Sequence, residues 1–390
     1  MASIKQILQE GIVQPISDFI EDSRAIGITL LVCTATSMIL SNTQIAQSYI
    51  AFWEKPFNFP VGLHLPHHLL HWINDFFMAV FFFMVGMEIK QELLTGELST
   101  FRKAILPIAA ALGGMLFPAI IYSFINKGTP YINGWGIPMA TDIAFSLGVA
   151  SLLGSRVPVS LKVFLMALAI IDDLGAILII ALFYGEAIQW NYLLYAALVC
   201  GVLGLLYHFK KLNIFLSISL GLLLWYCVFN SGIHATIAGV VMAMFIPVGK
   251  LEHYMHKIHV PVNFLILPLF ALANTAIPVP ANFADNLSTT LSWGVMLGLF
   301  LGKPLGISIL SFIAVKLKLA VVPSGTSWGQ MIGTGLLAGI GFTMSIFITM
   351  LAFDSPEFQD VSKIAVLIGS LAAILSGFVV LYFCGEKAKR

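Results

Sequence analysis

Residues 167–176 read ALAIIDDLGA, with Asp172 and Asp173 side by side in an apolar run, 160–184, whose one other charge is Lys162 near its start. A run of that length spans the hydrocarbon core of a bilayer, which takes roughly 20 helical residues. Asp172 lies near its middle, far from either interface. An ionised aspartate there costs on the order of 2.5 to 3.5 kcal/mol even on the lenient insertion scale, so two in a row point to a use rather than to packing.

The rest of the chain agrees with a membrane setting. Of 390 residues, 59% are hydrophobic and 10% charged, against about 25% charged in soluble domains, and mean hydropathy is +0.94. A net charge of +1 speaks against a nucleic-acid partner. Cys33, Cys200, Cys227 and Cys384 are far apart, with neither metal nor disulfide spacing. Residues 1–24 lack a basic leader and a cleavage site. Their apolar positions recur at helical spacing, as in a short helix lying along the membrane surface.

Twelve apolar spans can be marked, at 25–41, 69–88, 104–125, 135–154, 160–184, 191–208, 213–229, 232–247, 261–278, 291–315, 328–352 and 364–384. With the N-terminus inside, sixteen of the twenty Lys and Arg residues fall on the inner face and three, Lys55, Lys127 and Lys363, on the outer. That bias predicts a single transmembrane domain over 25–384 with both ends cytoplasmic and a short tail, 385–390. The twentieth cation, Lys303, lies within the tenth span. Gly298, Gly302 and Gly306 around it allow another helix to approach closely, which places the lysine in packed protein facing an anion.

Two spans are interrupted. In the fourth, Pro138 frees helical backbone groups just before Thr141 and Asp142; in the eleventh, Gly339 and Gly341 do so before Thr343. Broken helices at corresponding places in two halves point to a transporter binding site. Because the two are seven spans apart, an odd number, units of spans 3–5 and 10–12 would insert with opposite orientation. The expected fold is therefore an all-α membrane protein of twelve helices with inverted-topology repeats and two discontinuous helices. Span two carries Asp75 towards its outer end, which suits an outer vestibule. Glu88, Lys90 and Glu92 cluster at its inner end, where a solvated helix end and an acidic ion-attracting mouth both fit.

Several stretches together carry a family resemblance: LHWIND (70–75), FFMVGME (82–88), PMATDIAF (138–145), the run 154–176, SGIHAT (231–236), LILPLFALAN (265–274), LGKPLG (301–306) and GIGFTMSIF (339–347). In that order they resemble the NhaA-type sodium/proton antiporters, a family already known for inverted repeats and broken helices. The resemblance implies that Asp172 and Asp173 are the essential pair, that Lys303 partners the first of them, and that Asp142 and Thr141 serve the helix crossing. It further implies a pH response involving His234, Glu252, His253, His256 and Glu88, an outer funnel at Asp75, and a dimer formed through the hairpin at 57–63. Gln91 departs from it, standing where a family member has a basic residue. His64, His67, His68 and His71 have no counterpart in it, and read as a wet interfacial patch or a metal site.

The implied function is electrogenic, pH-regulated exchange of cytoplasmic Na⁺ or Li⁺ for external H⁺ across a bacterial inner membrane, with no cofactor. A small hard cation takes oxygen ligands, here from Asp173, Asp172 and Thr141. Burial and a neighbouring carboxylate disfavour ionisation while a lysine favours it, and these opposing effects can set proton release near neutral pH. Apart from the resemblance, His234 reads as a hydrogen-bonded packing residue, and His253, His256 and His259 as a solvated loop. A sodium-coupled solute symporter would use the same scaffold. An intramembrane aspartyl protease also needs two buried aspartates, but neighbours on a helix point about 100° apart and cannot share a proton.

Overall fold

The computed structural model describes residues 23–57, 59, 64–185, 187–279 and 287–385. The expected surface helix of residues 1–24 lies outside them apart from its last two residues, as do the tail beyond 385 and most of the 57–63 hairpin.

Apolar composition turns nearly every long stretch into helix. In chain order these are α1 (Ser23–Leu40), α2 (Leu69–Leu94), α3 (Phe101–Ile125), a 3₁₀ segment (Ile132–Met139) followed by α4 (Ile143–Leu152), α5 (Val159–Phe183), α6 (Trp190–His208), α7 (Ile214–Phe229), α8 (Ile237–Met244), α9 (Val248–Asn274), α10 (Thr290–Lys316), α11 (Trp328–Ala338), α12 (Phe342–Ala352) and α13 (Pro356–Cys384). Among the described residues, eight helices are long and apolar enough to cross a bilayer, or nine when α11 and α12, bent by 45°, count as one span. The protein is thus an all-helical, multi-pass membrane protein. Each of the twelve marked stretches contains helix, but α1, α7 and α8 are shorter than the helices that qualify as crossings. In α8 the marked span 232–247 yields only eight helical residues, because the chain turns through 231–236 and meets Pro247.

The glycine stripe of α10 acts as its spacing predicts. Gly306 lies backbone to backbone against Gly113 of α3, where a methyl on either would overlap the other's carbonyl oxygen, and Gly302 lies against Pro118. This close approach of α10 to α3 carries Lys303 into the interior, where it is fully buried. On the outside, Leu182, Leu198, Phe215 and Leu375 present bare apolar surface, as a lipid-facing belt requires.

Three spans contain a π-helical turn: Trp72–Phe77 in α2, Val262–Ile266 in α9 and Gly298–Gly302 in α10. The last of these ends at Lys303, whose backbone N–H bonds to Gly298 O five residues back. Such turns rotate the side chains that follow and often lie at functional positions.

Candidate functional site

Two interrupted helices meet at the centre. The 3₁₀ segment ends after Pro138 and the chain runs extended through Ala140 to Asp142, which caps α4 by accepting from Phe145 N–H at 3.1 Å. Opposite, the Gly339–Gly341 break ends α11 and begins α12. Glycine is required at 339, since a Cβ there would stand 2.5 Å from Leu299 O.

Each broken strand of chain satisfies the other's freed groups. Asp142 N–H donates to Ile340 O (2.7 Å), Thr343 N–H donates to Asp142 Oδ2 (3.1 Å) with the Thr343 hydroxyl beside it, and Ser345 Oγ donates to Ile137 O (2.7 Å). The N–H groups of Gly341 and Phe342 both donate to Ser370 Oγ of α13 at 3.2 Å. The N-termini of α4 and α12 therefore face each other with the Asp142 carboxylate between them, where a negative charge offsets two positive helix ends.

Lys303 reaches this crossing from α10. Its Nζ donates to Asp172 Oδ2, forming a fully buried ion pair, and to Thr141 Oγ1. The Thr141 hydroxyl lies 2.7 Å from Asp172 Oδ2 and 2.9 Å from Ala338 O. Having one proton, it donates to one of these at a time while accepting from the ammonium. Asp172 Oδ1 is buried without a hydrogen-bond partner.

Asp173, turned about 100° from its neighbour, has a different outlook. It lines a cavity of about 710 Å³ together with Asp142, Thr141, Thr343 and Glu88, and its Oδ1 has no hydrogen-bond partner. The cavity's far end lies among the exposed residues Thr95, Ser99 and Lys103. Elsewhere in the core, Phe347 packs against Phe82 and Phe270, with ring centroids 5.5 and 6.4 Å apart and all three rings buried. Asp173 and Asp142 are reached through the cavity. Three carboxylates and one ammonium stand within this interior; the pair cancels and two negative charges remain if none is protonated.

The other residues singled out in the sequence scatter. Glu88 lines the cavity, as an inner mouth requires. Lys90 and Glu92, expected beside it as a charged cluster, are occupied structurally: Lys90 Nζ donates to Met244 O (2.6 Å) and Ile246 O (2.7 Å), closing the carboxyl end of the short α8, and Glu92 accepts from Glu97 N–H at 2.9 Å. Asp75 sits half-buried on the α2 π turn, outside the cavity, and its carbonyl accepts from Trp225 Nε1 (3.0 Å). His234 Nε2 lies 2.9 Å from Tyr184 O, and the residue is not part of the cavity lining.

Glu252, His253 and His256 lie exposed on the first turns of α9 rather than in the expected loop, and only His259 of that histidine group reaches the cavity. His68 Nδ1 pairs with Glu54 O (2.7 Å) and its ring meets His71, but no group of three or more His, Cys, Asp or Glu residues among those described could hold a metal. Sequence reasoning marked Thr343 only as the hydroxyl beyond the double-glycine break and passed over Ser370 and Asn263, which carry no mark in the sequence.

Comparison with known proteins identifies the family. The family described as Na+/H+ antiporter 1 matches residues 17–381. The chain is 48% identical to the Na(+)/H(+) antiporter NhaA of Cytophaga hutchinsonii, covering 94% of this chain and 95% of that protein. It is 47% identical to the NhaA of Dechloromonas aromatica over 94% and 95%, and 43% identical to that of Helicobacter pylori (strain P12) over 96% of both. A buried aspartate pair beside a lysine, set at the crossing of two broken helices in a chain that matches the family from near its first residue to near its last, belongs to a member of the Na+/H+ antiporter 1 family.

Proposed function

We propose that this chain exchanges Na⁺ or Li⁺ for H⁺ across a bacterial cytoplasmic membrane, as a secondary transporter rather than an enzyme. The observation that carries the proposal is Asp173: a buried carboxylate at the end of a cavity, with an oxygen that no protein group satisfies. A hard cation entering the cavity would find oxygen ligands in Asp173, the free Oδ1 of Asp172, and Thr141. Lys303 holds the other Asp172 oxygen, and Asp142 keeps the facing helix ends from repelling the ion. Protons and Na⁺ compete for the same carboxylates, so loading one discharges the other. Exchange follows if the carboxylates open to one side of the membrane at a time.

Charge counting sets the expected ratio. Two protons neutralise the two excess charges and one Na⁺ does not, so more protons than sodium ions move per cycle and a negative interior drives sodium out. Each net charge gains about 2.3 kcal/mol per 100 mV.

The topology we infer has twelve crossings with both termini cytoplasmic, the short α1, α7 and α8 completing the count, and inverted units of spans 3–5 and 10–12. In its favour are the basic-residue bias, the reciprocal contact of Gly113 with Gly306, and the breaks at 140–142 and 339–341 that cross each other. On this orientation the cavity faces the cytoplasm. Glu88 forms its mouth, Asp75 lies on the outer side, and His234, Glu252, His253 and His256 adjust the pH response. A homodimer through the hairpin at 57–63 completes the reading.

Purified protein in liposomes with an acidic lumen supplies the test. Added Na⁺ or Li⁺, but not K⁺, is expected to discharge the proton gradient, and Asp173→Asn to abolish the response; discharge by the variant would overturn the ligand assignment. A cavity of about 710 Å³ has room for a small organic solute, so a sodium-coupled symporter is the second reading. It requires sodium-driven solute uptake in the same liposomes. The protease reading has little support, because Lys303 occupies the Asp172 oxygen that a proton-sharing dyad would need.

A further inference from the structure

Asn263 projects into the same cavity from α9, four residues beyond His259 and four short of Leu267, both of which also line it. It is 5% exposed, and no hydrogen bond to another protein group is found for its amide among the described residues. The other buried asparagines each make a side-chain bond within the protein: Asn74 and Asn274 bond to one another at 2.8 and 3.3 Å, and Asn126 Nδ2 donates to Tyr122 O at 3.2 Å although its Oδ1 has no partner. The Asn263 amide instead faces the cavity, so its hydrogen-bonding capacity is left to whatever water or ion enters there.

The backbone at this point is also irregular. Pro261 has no N–H to give, and the helix continues through the π turn Val262–Ile266, with Leu267 N–H bonded to Val262 O. Such a turn changes which side chains face a given side of the helix, and here it presents an amide between the imidazole of His259 and the apolar Leu267.

We infer that Asn263 is a further cation ligand, a neutral way station whose Oδ1 replaces one hydration water as Na⁺ or Li⁺ moves from the mouth towards Asp173. An amide oxygen suits that position. It coordinates a hard cation but adds no charge to detain it. The charged groups facing the same cavity, Glu88, Glu92, Glu97 and Lys103 towards the mouth and Asp142 and Asp173 at its end, leave this middle stretch of α9 with no other oxygen side chain. The inference rests on Asp173 as the terminal ligand.

The test compares Asn263→Ala, Asn263→Leu and Asn263→Asp in proteoliposomes, measuring half-saturating Na⁺ and Li⁺ separately from the maximal rate. Ala and Leu are expected to raise the half-saturating concentration about fivefold, the loss of one polar contact, and to change it more than they change the maximal rate. Asp, which keeps an oxygen and adds charge, should lower it and slow turnover. Leu keeps the side chain's bulk and carries the test if the Ala variant is unstable. Half-saturation within twofold of the parent in either truncated variant, or a loss of maximal rate alone in all three, would overturn the inference. Failure of the underlying site is separately visible: exchange by Asp173→Asn sinks that reading, whereas an inactive Asp173→Asn beside a parent-like Asn263→Leu sinks only this one.

Discussion

At Asp172 a lysine and a threonine hydroxyl close on one carboxylate oxygen, whereas at Asp173, one residue further along the same helix, the carboxylate turns to a cavity and no protein group meets it. The two differ in sequence position by one and in surroundings by a helical step of about 100°. What separates the two is the rotation, which aims one at α10 and the other at the path to solvent. Asp172, held at one oxygen by Lys303 and Thr141, ties the crossing together and keeps one oxygen open, whereas Asp173 is free to take a proton or a cation from the cavity.

The largest expected effect comes from removing the open side of this contrast. Asp173→Asn keeps size and shape but gives up the charge, and exchange in liposomes is expected to fall at least a hundredfold while the protein still purifies as a folded species. If instead Asp172→Asn were the silent partner's equal in every respect, with Asp173→Asn active, the contrast would be reversed.

The closed side should appear as stability. Lys303→Met leaves Asp172 buried without its cation, a change of about 3 to 5 kcal/mol if the carboxylate stays charged, read as a lower Tm in detergent. Lys303→Met with Asp172→Asn removes both charges and should recover much of that loss. A double variant no more stable than Lys303→Met alone would show that the pair does not hold the crossing.

A smaller effect is expected from Gly306→Ala, whose methyl overlaps the Gly113 carbonyl and pushes α10 from α3, moving Lys303 away from Asp172. Overpacking of this kind costs about 1 to 3 kcal/mol and should blur the difference between the two aspartates, lowering Tm and maximal rate together. The smallest belongs to His253→Ala with His256→Ala. Both are exposed on α9, so salt screens their influence on the carboxylates, and the midpoint of the pH profile of exchange should move by about half a unit or less. An unchanged profile would remove both histidines from the pH response, and a larger shift would make them its main source.

Much of this was legible in the sequence because lipid makes charge conspicuous. Asp172, Asp173, Asp142 and Lys303 stand out against apolar runs, Pro138 and the 339–341 glycines mark the breaks, and the four-residue glycine spacing foretells the α10–α3 contact. What stayed hidden depends on where a side chain ends up rather than on what it is. Lys90 reads as part of a charged mouth until α8 is seen to end beside it, leaving two carbonyls to cap.

The π turns change helical phase without any mark in composition, so Asn263 looks like one more polar residue in a span. Phe82, Phe270 and Phe347 are three phenylalanines among thirty until the fold packs their rings together in the core. The 251–261 segment, polar enough to read as a loop, is helical as the first part of α9.

Sodium binding to the purified protein across a series of pH values tests the central claim most directly. If Na⁺ and H⁺ compete for Asp173 and its neighbour, the apparent Kd for Na⁺ rises as pH falls, approaching about tenfold per pH unit for each proton displaced. An affinity that stays constant from acid to alkaline pH, with both aspartates intact, would contradict it.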